Sequence, residues 1–188
     1  MKDKILQIVP EAVIEDKTPL TVTVPVTAFH ELAYRLRTDD DLLFDYLVCM
    51  TGMDWGETLG VVYHLSSTRY GYQIVLKIET SDRENPELPS VSDIWATANL
   101  NEREVLDFYG IHFINHPDMR HLFLRNDWVG YPFRKDYNED PEINPVRLES
   151  DSSPDATSTF EEGADGAIQE KENILFEDDE YVVNIGPQ

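Results

Sequence analysis

Apolar residues recur along this chain in two rhythms, and the change from one to the other marks out the elements. Ile5, Leu6, Ile8, Val9, Ala12 and Val13 fall at helical spacing, which predicts a short N-terminal helix bent or ended by Pro10. Leu20, Val22, Val24 and Val26 then alternate with Thr21, Thr23 and Pro25, a period of two that predicts a strand whose proline marks its end or a sheet edge. Thr27 is placed to cap the next helix. Phe29, Leu32, Ala33 and Leu36 line one face of that helix, and Arg35 and Arg37 sit towards its C-terminal end, where the dipole favours cations.

The run from Leu42 to Trp55 has no decisive period and is expected to be a helical turn followed by a strand. Two alternating segments follow, Gly60 to Leu65 and Tyr72 to Glu79. Val61, Tyr63 and Leu65 share one side, Ile74, Leu76 and Ile78 do likewise, and Ser66 to Gly71 supplies turn chemistry, so the pair predicts a hairpin. Ser81 to Pro89 is polar, contains two prolines and is expected to be a loop. Ser90-Val-Ser-Asp93 has the spacing of a capping box and predicts a short helix over Ile94, Trp95 and Ala96. Asn101 is placed to cap another helix, with Glu102 and Glu104 in its first turn, Val105, Leu106, Phe108 and Tyr109 packing inward, and Gly110 as its stop. Beyond Tyr137 the periodicity fades into Pro, Ser, Asp, Glu and Gly, which predicts an extended or disordered tail.

Composition changes this picture in three ways. The chain of 188 residues, 41% of them hydrophobic, suits one globular unit plus a tail. Of the net charge of −22, residues 138 to 188 hold 15 acids and two bases, a net of −13. An acidic balance argues against nucleic-acid binding, which needs a basic face to neutralise phosphates. The longest apolar run, near Leu42 to Met50, is broken by Asp45 and falls short of the roughly 20 residues of a bilayer crossing. Pro10 and Glu11 cut off the apolar stretch of a secretory signal, so the chain is expected in the cytoplasm. A single cysteine, Cys49, excludes an internal disulfide and any cysteine-ligated iron–sulfur cluster built from this chain alone. Within Leu47-Val48-Cys49-Met50 it is expected to be a small core residue.

Candidate chemistry concentrates between Asn101 and Tyr137, where charges alternate densely with large apolar groups and follow no single helical period. Such a segment is best satisfied as irregular chain pinned by ion pairs, and it carries the aromatic and arginine anchors that interfaces favour. His112, His116 and His121, with Asp107 and Asp118, have the composition of a metal site. Gly110 and Pro117 argue against the helix that would align the first two, so the histidines are expected to satisfy backbone or carboxylate groups, with no metal. Glu102, Glu104 and Asp107 could form an acid–base pair, but capping and dipole complementarity explain them more cheaply. The chain has no Gly-rich phosphate loop, nucleophile elbow or dinucleotide fingerprint.

Glu102-Arg-Glu104, then Asp107-Phe-Tyr-Gly-Ile111, Phe113, His116-Pro-Asp118, Arg120 and Arg134-Lys-Asp-Tyr137 resemble, in order and spacing, the signature of the C subunit, the 30 kDa subunit family, of respiratory complex I, the NADH:quinone oxidoreductase. The likeness covers roughly residues 5 to 137. Leu100, His121 and Tyr131-Pro-Phe133 depart from the family's usual tryptophan, second arginine and His-Pro-Leu. The resemblance implies an α+β fold, a two-layer α/β domain with a mixed sheet flanked by helices, followed by an irregular loop and an acidic, mostly disordered tail. It implies a non-catalytic scaffold in the peripheral arm of a proton-translocating enzyme, on the cytoplasmic face of the membrane and bound to it only through the complex. The D subunit, near the quinone site, and the B subunit are the implied partners. No cofactor is expected in this chain; FMN, iron–sulfur clusters and quinone belong to partner subunits. Related domains also occur in membrane-bound hydrogenases and complexes with other electron donors.

The residues implied at the partner interface are Glu102, Arg103, Glu104, Asp107, His116, Arg120, Arg134, Lys135 and Asp136; of these, Arg103, Arg120, Arg134 and Lys135 with Glu102, Glu104 and Asp136 are divided between locking the loop and pairing with the D subunit. The last residues, Asp178 to Gln188, resemble the opening of the D subunit, which implies a fused C/D polypeptide. The expected organisation is therefore a domain like the complex I C subunit over 1–137, an acidic linker over 138–173 and the truncated start of a domain like the D subunit over 174–188.

Overall fold

The computed structural model describes residues 1–138 and 143–144, so the linker and the second domain's opening expected beyond them lie almost wholly outside the described residues. The elements run α1 (Lys2–Ile8), β1 (Val13–Glu15), β2 (Leu20–Thr23), α2 (Val26–Thr38), β3 (Tyr46–Asp54), β4 (Leu59–Ser66), β5 (Gln73–Thr80), β6 (Glu87–Pro89), α3 (Ala98–Tyr109) and β7 (His112–Ile114). Five strands form one sheet in the order β1-β2-β5-β4-β3, with β2 parallel to β5 and the other neighbours antiparallel. A small parallel pair, β6 and β7, lies apart from it. The fold is α+β with a mixed sheet, as the resemblance implies.

Alternation along the strands produces the two layers. Val22, Leu76, Tyr63 and Met50 stand abreast across β2, β5, β4 and β3, and all four are buried. The next row, Thr23, Lys77, Val62 and Thr51, is half-buried or exposed. Helices cover the buried face. Phe29 of α2 lies over Tyr63 with ring centroids 4.8 Å apart, and α2 buries the four residues its spacing marks, Phe29, Leu32, Ala33 and Leu36. The ring of Tyr109 of α3 sits on Gly52 of β3, so close that a Cβ there would lie 2.4 Å from it.

Several local expectations are corrected. The N-terminal helix stops at Ile8, and Val13 opens the short strand β1 instead of continuing it. β2 ends at Thr23, ahead of Pro25, as one of the two expectations for that proline has it, but its pairing with β1 and β5 makes the strand internal to the sheet, and Pro25 itself, not Thr27, occupies the N-cap of α2. Cys49 is exposed. A bulge between Leu47 and Cys49 inserts one residue, so Val48 and Cys49 both leave the core side before alternation resumes at Met50. The loop before Ser90 contains β6, which backbone pairing to β7 draws into extended form. No helix forms over Ile94 to Ala96; the Ser90 hydroxyl accepts the Ser92 N–H at 3.1 Å and donates to Glu102, and the chain runs through turns until α3.

α3 starts at Ala98, three residues before Asn101, and its first turn holds no acid. Glu102 therefore lies inside the helix, and of the four residues expected to pack inward only Val105 is fully buried. Gly110 ends α3 as expected, in the left-handed conformation at φ 68°, where its missing Cβ also admits the ring of Tyr131.

Candidate functional site: a strap pinned to the last helix

After β7 the described residues form no helix or strand, and α3 holds this strap by side chains one helical turn apart. Asp107, fully buried, accepts the backbone N–H groups of Leu122, Phe123 and Leu124 on Oδ2 at 3.0, 2.6 and 3.0 Å, and meets His121 Nδ1 with Oδ1 at 2.7 Å. Burial works against its ionisation, but these donors outweigh it and hold the carboxyl below the usual range. Arg103 takes the complementary role, donating to the carbonyls of Arg120 and His121 at 3.0 and 2.9 Å. One carboxylate thus satisfies the strap's N–H groups, and one guanidinium its carbonyls.

Nearer the start of α3, His116 has a buried side chain; its Nε2 lies 3.0 Å from the carbonyl of Asn99, and its Nδ1 accepts the N–H of Asp118 at 3.0 Å. Glu102 faces the other way, accepting from Ser90 Oγ at 2.6 Å and Val91 N at 2.8 Å. His116 and His121 satisfy a carbonyl and a carboxylate, as the sequence suggests. Among the described residues no group of three or more His, Cys, Asp or Glu could hold a metal ion.

The far end of the strap is fixed by two residues that sequence reasoning missed. Asp54, at the end of β3, receives Arg83 as a two-pronged pair at 2.8 and 3.0 Å, together with the N–H groups of Gly56 and Lys135 at 2.7 and 2.9 Å. Arg83 holds the carboxyl far below the usual range, burial opposes this, and the backbone donors assist. The same guanidinium reaches Asp136 at 2.9 Å. Arg134 donates to the carbonyls of Tyr109 and Arg83 at 2.6 and 2.7 Å and lies 4.5 Å over the Tyr131 ring. Asp54 leaves one sequence clue, a charge within an apolar strand; Arg83, in a polar loop, leaves none.

The structure therefore divides the nine residues marked for a partner. The charged or polar groups of Glu102, Asp107 and His116 point inward, and Arg103 and Arg134 spend their hydrogen bonds on the chain's own carbonyls. Glu104, Arg120, Lys135 and Asp136 are exposed. What the pinned strap presents outward is aromatic. Phe108 stacks between Phe123 and Phe133 at 6.0 and 4.4 Å, Tyr109 meets Phe133 edge-on at 5.9 Å, and Phe123 and Phe133 remain 64% and 57% exposed. Two large rings held in the open by a rigid backbone have the character of an interface anchor.

Fold and site together define a small α+β domain whose helix α3 is a spine for an irregular strap with an outward aromatic face. Residues 22–142 match the family described as the respiratory-chain NADH dehydrogenase, 30 Kd subunit, and the chain belongs to that family. It is 52% identical over 168 residues to the C/D subunit of the NADH-quinone oxidoreductase of Phocaeicola vulgatus, covering 89% of this chain and 32% of that protein. It is 35% identical over 144 residues to the C subunit of the NADH-quinone oxidoreductase of Cupriavidus pinatubonensis, covering 72% of each. The chain thus spans about a third of the C/D relatives it matches. Among solved structures, a chain of the membrane-bound sulfane sulfur reductase, an archaeal respiratory membrane complex, superposes with a TM-score of 0.64 at 25% identity, covering 76% of this chain and 86% of that one. No helix among the described residues is long and apolar enough to cross a membrane.

Proposed function

We propose that the chain is a non-catalytic scaffold in the peripheral arm of a proton-translocating NADH:quinone oxidoreductase, docking on the D subunit near the quinone site and lying close to the B subunit on the cytoplasmic face of the membrane. The observation that carries this reading is the aromatic face of Phe123, Phe108 and Phe133, left open by a strap that Asp107 and Arg103 hold rigid. A preorganised apolar anchor avoids most of the ordering cost of association. Glu104, Arg120, Lys135 and Asp136 supply charged groups for its rim, while Arg103, Asp107, His116 and Arg134 hold the surface from behind and Glu102 holds the turn at Ser90 and Val91. FMN, iron–sulfur clusters and quinone belong to the partner subunits, and this chain binds none of them.

The C/D name carried by relatives 52% identical to this chain supports a native polypeptide that continues into the D subunit. Residues 138–173 then form the tether and 174–188 the opening of the second domain. A tether of that kind raises the effective concentration of the two domains without adding a contact.

The test is the double substitution Phe123→Asp with Phe133→Asp in cells that assemble the complex. Both rings are already solvent-facing, so the fold should persist, with circular dichroism unchanged. Assembly of the arm on native gels and NADH:quinone activity should both fall at least about tenfold, the cost of two lost anchors. Wild-type assembly with two aspartates on this face would refute the docking role. The likeness to the sulfane sulfur reductase chain favours a second reading, an equivalent component of a complex with another electron donor or of a membrane-bound hydrogenase. Assaying the assembled complex with NADH against reduced ferredoxin separates the two.

A further inference from the structure

Glu102 is the buried carboxylate of α3 that accepts no hydrogen bond from the strap. It is fully buried, and among the described residues no lysine or arginine pairs with it. The nearest group able to carry a positive charge is His116, whose Nε2 stands 4.0 Å from Oε2. That ring is already committed. Its Nδ1 accepts the Asp118 N–H, so the ring proton sits on Nε2 and is given to the Asn99 carbonyl, which leaves the imidazole neutral. From β4, the phenol of Tyr63 is buried with no hydrogen-bond partner among the described residues and within electrostatic reach of the carboxylate. From the turn after β6, Asp93 adds a second negative charge, itself paired to His30 of α2 at 3.0 Å.

A path leads out. Ser90 Oγ lies 2.6 Å from Glu102 Oε2 and 2.8 Å from Ser92 Oγ. Ser92 is half-buried, and Ser90 also lines a surface cleft with His30, Pro89, Asp93 and Asn115. Hydroxyls both donate and accept, so this pair can reverse its hydrogen bonds as one proton enters and the carboxylate becomes neutral.

We propose that Glu102 is a buried proton-binding site, exchanging with solvent through Ser90 and Ser92, and that its proton stabilises the turn at Ser90 and the His116–Asp118 loop against α3. An unpaired buried carboxylate can be relieved in two ways. It can take up a proton itself, which leaves every neighbouring contact in place. Alternatively, once that proton has left for solvent, water can reach the buried charge by opening the loop that carries His116, whose Nε2 stands 4.0 Å from Oε2. Proton loss from Glu102 thus loosens the loop from which the strap begins. Burial pushes the carboxyl up to about 7, Asp93 adds to this, and the donors Ser90 and Val91 moderate it, which puts the event near neutral pH.

The experiment is infrared difference spectroscopy of the full chain, with amide exchange at Asp118, titrated from about pH 5 to about pH 9. The expected result is a protonated-carboxyl C=O band that disappears with a midpoint near 7 and is absent from Glu102→Gln. Asp118 exchange should accelerate with the same midpoint, beyond the ordinary base-catalysed rise, and this step should vanish in Glu102→Gln. Ser90→Ala removes a donor to the ionised form and should move the midpoint upward, and it decides the matter alone if Glu102→Gln does not fold. A wild-type titration without the band, a band that survives in Glu102→Gln, or a midpoint unmoved in Ser90→Ala overturns the proposal.

Discussion

Glu102 and Asp107 sit five positions apart on one helix, both withdrawn from solvent, and their surroundings drive them in opposite directions. Asp107 meets three backbone N–H groups and an imidazole; Glu102 meets one N–H, one hydroxyl and no cation. The number of donors decides which carboxylate stays charged. Asp107→Asn keeps one acceptor oxygen but points an NH2 group at donors that need an acceptor. It should cost about 3 kcal/mol, seen as a lower urea midpoint, with proteolysis beginning at the strap. The acid dependence follows from the same geometry. The folded carboxyl titrates below its unfolded value of 3.8, so Asp107 contributes its stability above that value and loses it as pH falls through the lower, folded one. Asp54 behaves alike, for the same direction of shift.

At the scale of elements, the contact between α3 and β3 depends on Gly52. A methyl group there would fall 2.4 Å from one carbon of the Tyr109 ring, with the strand backbone behind it. Gly52→Ala should therefore push α3 outward and lower stability by about 1–3 kcal/mol in denaturant titration, and Tyr109→Ala in the same chain should recover part of the loss. The elements most legible in the sequence, α2 and the β4–β5 hairpin, are those where one periodic face is buried along its whole length. The three-residue strands β1, β6 and β7 are too short to show a period, and pairing partners distant in sequence create them. α3 begins four residues ahead of the start that an Asn101 cap implies; Asn101 and Glu104 imitate a capping pair that the helix does not use. Cys49 fails for a related reason, since a bulge shifts alternation without any mark in the local composition. The strap itself is legible as irregular chain pinned by charge. Arg103 and Arg134 are legible among the charges that pin it; Asp54 and Arg83 are not, because they reach it from 81 and 53 positions away.

Over the whole molecule, titration of Glu102 and net charge act together. The chain carries −22 at neutral pH and has a sequence pI near 4.3, so lowering pH reduces self-repulsion throughout. Glu102 adds a specific component of the same sign. Its folded value of about 7 lies above the unfolded 4.5, so between them the folded state binds the extra proton, and stability falls as pH rises through that window. The difference corresponds to on the order of 3 kcal/mol lost between acid and alkaline limits. Asp54 and Asp107 oppose this only below their unfolded value of 3.8. The two trends cross, and the stability maximum should lie on the acid side, at about pH 4 to 5, instead of in the more common window of about pH 5 to 8. Urea unfolding across pH checks this in two arms. Added salt should raise stability at pH 8 by screening the general repulsion, whereas Glu102→Gln should flatten the slope between about pH 5 and 7 at every ionic strength, because a buried group is poorly screened. If salt alone abolishes that slope, the pH dependence belongs to the diffuse acidic charge and not to this carboxylate.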